Sequence, residues 1–175
     1  SVSTNAGEYD VRVVVLGVGA LCEPRLPEID GIEDFAGDVF HTARWDHTQD
    51  LTGKRVLFMA TDGFEEVELT EPLKALEKAG ATVEIASLKT GKIQGWDKTD
   101  WGKSVAVDLD VEAVDAEDYD ALVLPGGQIN PDKLRLELKA LAAIRAFLSS
   151  GKPVAAICHA PWLLIEAGAA KGLKM

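Results

Sequence analysis

From residue 54 onward, short apolar runs alternate with segments of helical period, and this alternation limits the fold more than any other feature of the chain. Residues 54–60 (KRVLFMA), 81–87 (ATVEIAS), 119–124 (YDALVL) and 153–157 (PVAAI) read as strands. Most lack a polar residue at every second position, which is the pattern of strands buried on both faces. Between them, residues 65–79 place Val67, Leu69, Leu73, Leu76 and Ala79 on one helical face, and Gly80 follows as a C-cap. Residues 137–149 are helical with Gly151 after them, and residues 158–168 read as a turn into a helix. Residues 88–110 carry Gly91, Gly95, Trp96, Trp101 and Gly102, an irregular excursion with short strands, one near 105–107. Strands that alternate with helices require a parallel sheet covered on both faces, so the expected class is α/β.

Before residue 54 the rhythm is weaker. Residues 1–9 are small and polar and are expected to fray. Residues 10–17 (DVRVVVLG) read as a buried strand and residues 38–44 (DVFHTAR) as a short alternating one, with loop punctuation at 22–35 and a polar linker at 45–53.

Charge narrows the partners. Eighteen Lys and Arg against 29 Asp and Glu leave a net charge of −11 over 175 residues. Such a surface repels phosphate backbones and anionic lipid, so neither nucleic acid nor membrane is an expected partner. The apolar run at 13–22 is interrupted by Gly17 and Gly19 and is too short to span a bilayer. The first ten residues have no signal-peptide pattern, and the two cysteines, Cys22 and Cys158, make no disulfide framework. Both observations point to a cytoplasmic protein. His41, His47 and His159 form no zinc-spaced cluster with cysteine, so no metal is expected.

Three features carry chemistry. In Ala156-Ile157-Cys158-His159-Ala160 a thiol stands on a strand-to-helix turn flanked by small residues, as a nucleophile on a strained elbow requires. The helix dipole behind it is expected to lower the thiol pKa; an inert, buried cysteine at a strand end is the competing reading. Leu124-Pro125-Gly126-Gly127 ends a strand, and its glycines let backbone N–H groups approach a ligand, as in an oxyanion hole or a plain turn. At the start of the first helix, Glu65 and Glu66 read as solvated acids complementing the dipole, whereas Glu68 falls beside the apolar positions Val67 and Leu69.

The stretches KRVLFMATDGFEEVELTEPLKALEKAGATVEIAS, GWDKTDWG, YDALVLPGGQINPDKLR and GKPVAAICHAPWLLIEAG resemble, in order and spacing, the ThiJ/PfpI family of deglycases and intracellular-protease-like proteins. The resemblance covers about residues 51–175. It implies a flavodoxin-like three-layer sandwich, a nucleophilic Cys158, a helix-borne Glu68 hydrogen-bonded to the thiol, and His159 beside it. It implies oxyanion donation from the backbone N–H groups of Gly127 and His159. It also places at Asp132 an acid that in some members reaches a neighbouring subunit's site. Ala160 departs from the family's usual glycine. A thiolate and a carboxylate in contact repel, so the pair is expected to share one proton, held by Glu68 beside a Cys158 thiolate. The implied substrates are small-molecule carbonyl adducts or peptides attacked at carbonyl carbon, with no cofactor.

Residues 9–56 instead resemble a fragment of Baeyer–Villiger-type flavin monooxygenases, with LTGKRV as the overlap. Gly17 and Gly19 give only G-x-G, and Cys22 stands where a further glycine is needed, so neither FAD nor NADP is expected. Family domains continue with more strands beyond the Gly172-Leu173-Lys174 stretch. The chain therefore reads as a chimera: residues 1–50 from one source, and residues 51–175 a truncated ThiJ/PfpI-like domain. The strands at 10–17 and 38–44 are expected to replace the missing ones on the same sheet, or else a homo-oligomer covers the exposed edge. A scaffold that keeps the fold without turnover is the alternative to an enzyme.

Overall fold

The computed structural model describes residues 2–4, 7–9 and 50–169. The chain divides into two units, residues 1–49 with 172–175, and residues 50–171. In the first unit, β1 (Val2–Thr4) pairs antiparallel with β2 (Gly7–Tyr9), within the segment expected to fray. The expected strands at 10–17 and 38–44, and with them the proposed repair of the sheet, lie outside the described residues.

The second unit is a three-layer α/β sandwich. Its central sheet contains β3 (Arg55–Met59), β5 (Thr82–Ser87), β8 (Leu109–Asp110), β9 (Ala121–Leu124) and β10 (Val154–Ala156). The spatial order is β10-β9-β3-β5-β8, and every pairing is parallel. Successive residues of each strand serve opposite faces. In β3, Leu57 and Met59 join Leu122, Leu124, Ile144 and Phe147 on one side. Val56 and Phe58 join Leu69, Ile85 and Val123 on the other. From Val56 to Met59 neither face of β3 meets water, which is why this stretch shows no polar alternation.

Helix α1 (Glu66–Lys78) covers one face, and α3 (Leu138–Ser149) with α4 (Pro161–Glu166) the other. The helical face expected of α1 is narrower than its apolar residues suggest. Leu69 is buried and Leu73 and Leu76 are partly buried, but Val67 is 54% exposed. A short helix that periodicity did not reveal, α2 (Ile129–Leu134), follows β9. No helix among the described residues is long and apolar enough to cross a membrane.

The excursion between β5 and β9 is more regular than its glycines imply. β6 (Gly91–Asp97) and β7 (Asp100–Val107) form an antiparallel hairpin, and β4 (Phe64–Glu65) adds to β6 in parallel. Trp96 and Trp101 meet across the hairpin edge to face, centroids 5.5 Å apart. Glu66 fastens this hairpin to α1, which corrects the expectation that it is a solvated acid. It is 8% exposed, accepts the Lys103 backbone N–H at 2.6 Å, and lies 3.2 Å from the Lys103 ammonium. The Lys103 N–H bond, then its ammonium, holds the carboxyl pKa below the ordinary value.

A depressed native pKa contributes stability above the unfolded-state pKa, and that stability is lost as pH falls through the native value. Glu66→Gln should therefore lower Tm at pH 7. The gap to wild type should close as the pH drops below about 4, read by thermal melts across pH.

Candidate active site

β3 is the strand where the topology reverses, with β5 and its neighbour on one side and β9 and β10 on the other. In open parallel sheets the crevice outside the carboxyl ends of such strands is where ligands bind. Three loops converge there: residues 61–63 after β3, 125–127 after β9, and 157–160 after β10.

Cys158 occupies the sharpest bend. The Ile157 N–H still bonds the Leu124 carbonyl at 3.1 Å, carrying the β9–β10 ladder one residue past the strand. The next residue turns away at φ 59°, in the left-handed region that a residue with a Cβ rarely adopts. The Ala160 N–H returns to the Ile157 carbonyl at 2.9 Å, closing the turn before α4 begins. This is a strained elbow, and such strain persists only where the surroundings enforce it. Ala160 itself is buried at φ −60°, an ordinary right-handed value. An alanine where the family usually has glycine thus costs the elbow nothing in backbone conformation.

Gly126 makes the elbow fit. A Cβ on it would lie 2.5 Å from Glu68 Oε2 and 2.6 Å from both Cys158 Cβ and the Ile157 carbonyl oxygen. Its N–H donates to Glu68 Oε2 at 2.9 Å. Gly127 adopts φ 80°, and a Cβ there would meet the Gly63 carbonyl oxygen at 2.6 Å and the Glu65 nitrogen at 2.7 Å. The turn is held from below by Asn130 of α2, which is fully buried. Its Oδ1 accepts the Thr61 N–H at 2.7 Å, while Nδ2 donates to the carbonyls of Pro125 (2.8 Å) and Gly126 (3.2 Å). One amide thereby ties the loop after β3 to the loop after β9. The sequence reading missed Asn130, because an Asn-Pro pair signals only a turn and carries no mark of burial.

The ionisable groups meet as follows. Burial pushes the half-buried Glu68 carboxyl up, against the opposing effects of hydrogen bonds from the Cys158 thiol and the Gly126 N–H. Burial and then the negative charge of Glu68 push the Cys158 thiol up, opposed by the backbone N–H groups of Gly127 and His159. The expected lowering by a helix dipole is therefore corrected. α4 is a six-residue helix that starts only at Pro161, so its field at residue 158 is outweighed by burial and the carboxylate. His159 Nδ1 lies 3.1 Å from Cys158 Sγ, and both residues are solvent-exposed. Glu68, Gly127, Cys158 and His159 are thus brought together. Asp132 is not: it sits on α2, where its carboxylate pairs with Arg135 Nε at 3.1 Å. Among the described residues no group of three or more His, Cys, Asp or Glu side chains could hold a metal ion.

The sequence model of the DJ-1/PfpI family matches residues 54–175. The chain belongs to the DJ-1/PfpI family. It is 46% identical over 120 residues to a deglycase of Thermococcus kodakarensis, covering 69% of each chain. It is 39% identical over 122 residues to protein/nucleic acid deglycase 2 of Escherichia coli, covering 70% of this chain and 69% of that one. A putative cysteine protease of Bacillus subtilis is 41% identical over 120 residues, covering 68% of each. Among solved structures, oxidised DJ-1 of Toxoplasma gondii superposes with a TM-score of 0.60 at 29% identity, covering 69% of this chain and 64% of that one. Drosophila melanogaster DJ-1beta gives 0.58 at 30% identity, covering 67% and 61%. The chain spans less than two thirds of either solved DJ-1 chain. The DJ-1/PfpI match begins at residue 54, and these findings give no support to the monooxygenase resemblance of residues 9–56 or to a chimeric origin.

Because Gly126 has no room for a Cβ, Gly126→Ala should displace Glu68 from Cys158. In a Cys22→Ala background its pH profile of Cys158 alkylation should lose any dependence on Glu68 and match that of Gly126→Ala combined with Glu68→Gln.

Proposed function

We propose that this chain carries a cysteine-dependent deglycase site acting on reactive-carbonyl adducts of amines or thiols. The observation that supports it best is the convergence on one sulfur: Cys158 at a left-handed elbow, with His159 Nδ1 3.1 Å from Sγ, the Glu68 carboxyl beside it, and the Gly127 and His159 backbone N–H groups drawing the thiol pKa down against burial. The names of the relatives, deglycases from both archaea and bacteria, supply the substrate class.

In this reading Cys158 is the nucleophile, and Glu68 shares one proton with it. Both pKa values are raised, so the pair retains one proton; the reactive microstate in this reading is the one in which the carboxyl holds that proton and donates it to a thiolate. The thiolate adds to the carbonyl carbon; a C–S bond forms and the π pair moves onto oxygen. The N–H groups of Gly127 and His159 receive that charge. The departing amine or thiol takes the proton on Glu68 as its bond to the adjacent carbinol carbon breaks; the carbinol O–H becomes a carbonyl and returns its proton to Glu68, and collapse of the alkoxide breaks the C–S bond and restores the Cys158 thiolate. His159 Nδ1, within reach of Sγ, is the second group able to exchange a proton with the thiol. In a homo-oligomer Asp132 would serve a neighbouring subunit's site, and it must then share or release its pairing with Arg135. Peptide hydrolysis is the second reading, favoured by the relative named a cysteine protease.

The deciding experiment is release of free amine from methylglyoxal-treated amino acids, run beside cleavage of a fluorogenic peptide. Turnover of the first substrate supports the proposal; turnover of the peptide alone replaces it. Cys158→Ser should reduce either activity to background, and retained turnover would remove Cys158 from its role.

Glu68→Gln keeps the Gly126 N–H bond but not the proton. It should lower turnover by about a hundredfold or more, within the range of a general acid or base, and alter the pH profile. The stability effect has the opposite sign. A carboxyl whose native pKa is raised makes the native state lose stability as pH rises from the unfolded value through the native one. Glu68→Gln should therefore melt above wild type at pH 7–8 and match it near pH 4, a separation that thermal scans check directly.

A further inference from the structure

His159 is exposed, and among the described residues the hydrogen bond recorded for its ring is the one to Cys158 Sγ. An exposed imidazole held by one contact to an adjacent residue would ordinarily sample several rotamers. Its ring is instead packed edge to face with Trp162, at a centroid distance of 5.3 Å and an interplanar angle of 82°. The Trp162 N–H bonds the His159 carbonyl at 3.1 Å, which fixes the spacing of the two residues across the elbow. The indole is itself braced. The Arg135 guanidinium lies 5.4 Å from its centroid, and Arg135 is held by Asp132 at 3.1 Å and Glu166 at 3.7 Å.

We propose that Trp162 is a positioning residue: its indole keeps His159 Nδ1 turned toward Cys158 Sγ, and Arg135 keeps the indole in place. This rests on the reading of Cys158 as the reactive thiol. It gives α2 a connection to the site within one chain, running from Asp132 through Arg135, Trp162 and His159 to sulfur. Among the described residues, the charged and titratable groups around His159 are Cys158 on its own turn, Glu68 from α1, and, across the indole, Arg135 and Asp132 from the end of α2 and Glu166 from α4.

Alkylation of Cys158 by iodoacetamide tests the proposal without requiring turnover, so its failure is separable from failure of the deglycase reading. All variants carry Cys22→Ala. Rates are measured across pH for wild type, Trp162→Phe, Trp162→Leu and Trp162→Ala, each with and without His159→Ala. An aromatic contact of this kind shifts the population of the held rotamer by roughly two- to tenfold, which bounds its effect on the rate. Trp162→Leu and Trp162→Ala should slow alkylation near neutral pH by that factor and change the pH profile, whereas Trp162→Phe should stay near wild type. In the His159→Ala background the Trp162 substitutions should have no further effect, since contacting groups are coupled and independent ones add. Equal effects in both backgrounds, or a Trp162→Leu variant that behaves as wild type, would overturn the proposal. If Trp162→Ala does not fold, the comparison of Leu with Phe decides.

Discussion

Where β9 ends, the backbone at Gly126 lies against the Cys158 elbow and the Glu68 carboxylate with no space for a Cβ. The rest of the site follows from that approach. The Gly126 N–H fixes Glu68 Oε2, so the carboxyl comes to the thiol from a different helix. The adjoining Gly127 turns in a left-handed conformation beside the elbow, and its N–H opposes the rise of the thiol pKa. Asn130 holds this turn to the loop after β3, so β3 and β9 bear on the same few atoms.

The electrostatics follow from the same crowding. Packing sets a half-buried carboxyl against the thiol of an exposed residue, and the partial desolvation of each raises both pKa values. A pair of this kind favours holding one proton over holding none. The conformational cost at Cys158 and the desolvation cost at Glu68 are local, and a core filled on both sheet faces supports them. Both features sit at the topological switch point, where a parallel sheet leaves an open crevice without interrupting its strands.

Much of this was legible from residue types. The strands at 55–59, 82–87, 121–124 and 154–156 fall within the apolar runs that mark them, because strands buried on both faces need such runs. The resemblance brought Glu68, Gly127, Cys158 and His159 to notice, and the fold places them together. Other residues were read differently. Glu66 reads as a surface acid until the β6–β7 hairpin closes over it, because its partner is the Lys103 backbone and a backbone group has no sequence signature. Val67 reads as core because periodicity gives a stripe and not its width. Helix α2 is too short for periodicity to declare it.

By itself, the sequence determined an α/β fold with a parallel sheet, since alternating apolar runs and amphipathic segments have few other ways to bury their surfaces. It also marked a cysteine at a strand end and a Pro-Gly-Gly turn at another. Tertiary structure decided what those pieces do to one another. That the cysteine takes a left-handed conformation, that Gly126 excludes a Cβ, that Asn130 is an internal tie, and that Trp162 packs against His159 all depend on strands distant in sequence ending side by side. The direction of the thiol's pKa was settled there too. The local pattern offered a helix dipole, whereas burial and a carboxylate from another helix act on the sulfur more strongly at contact distance.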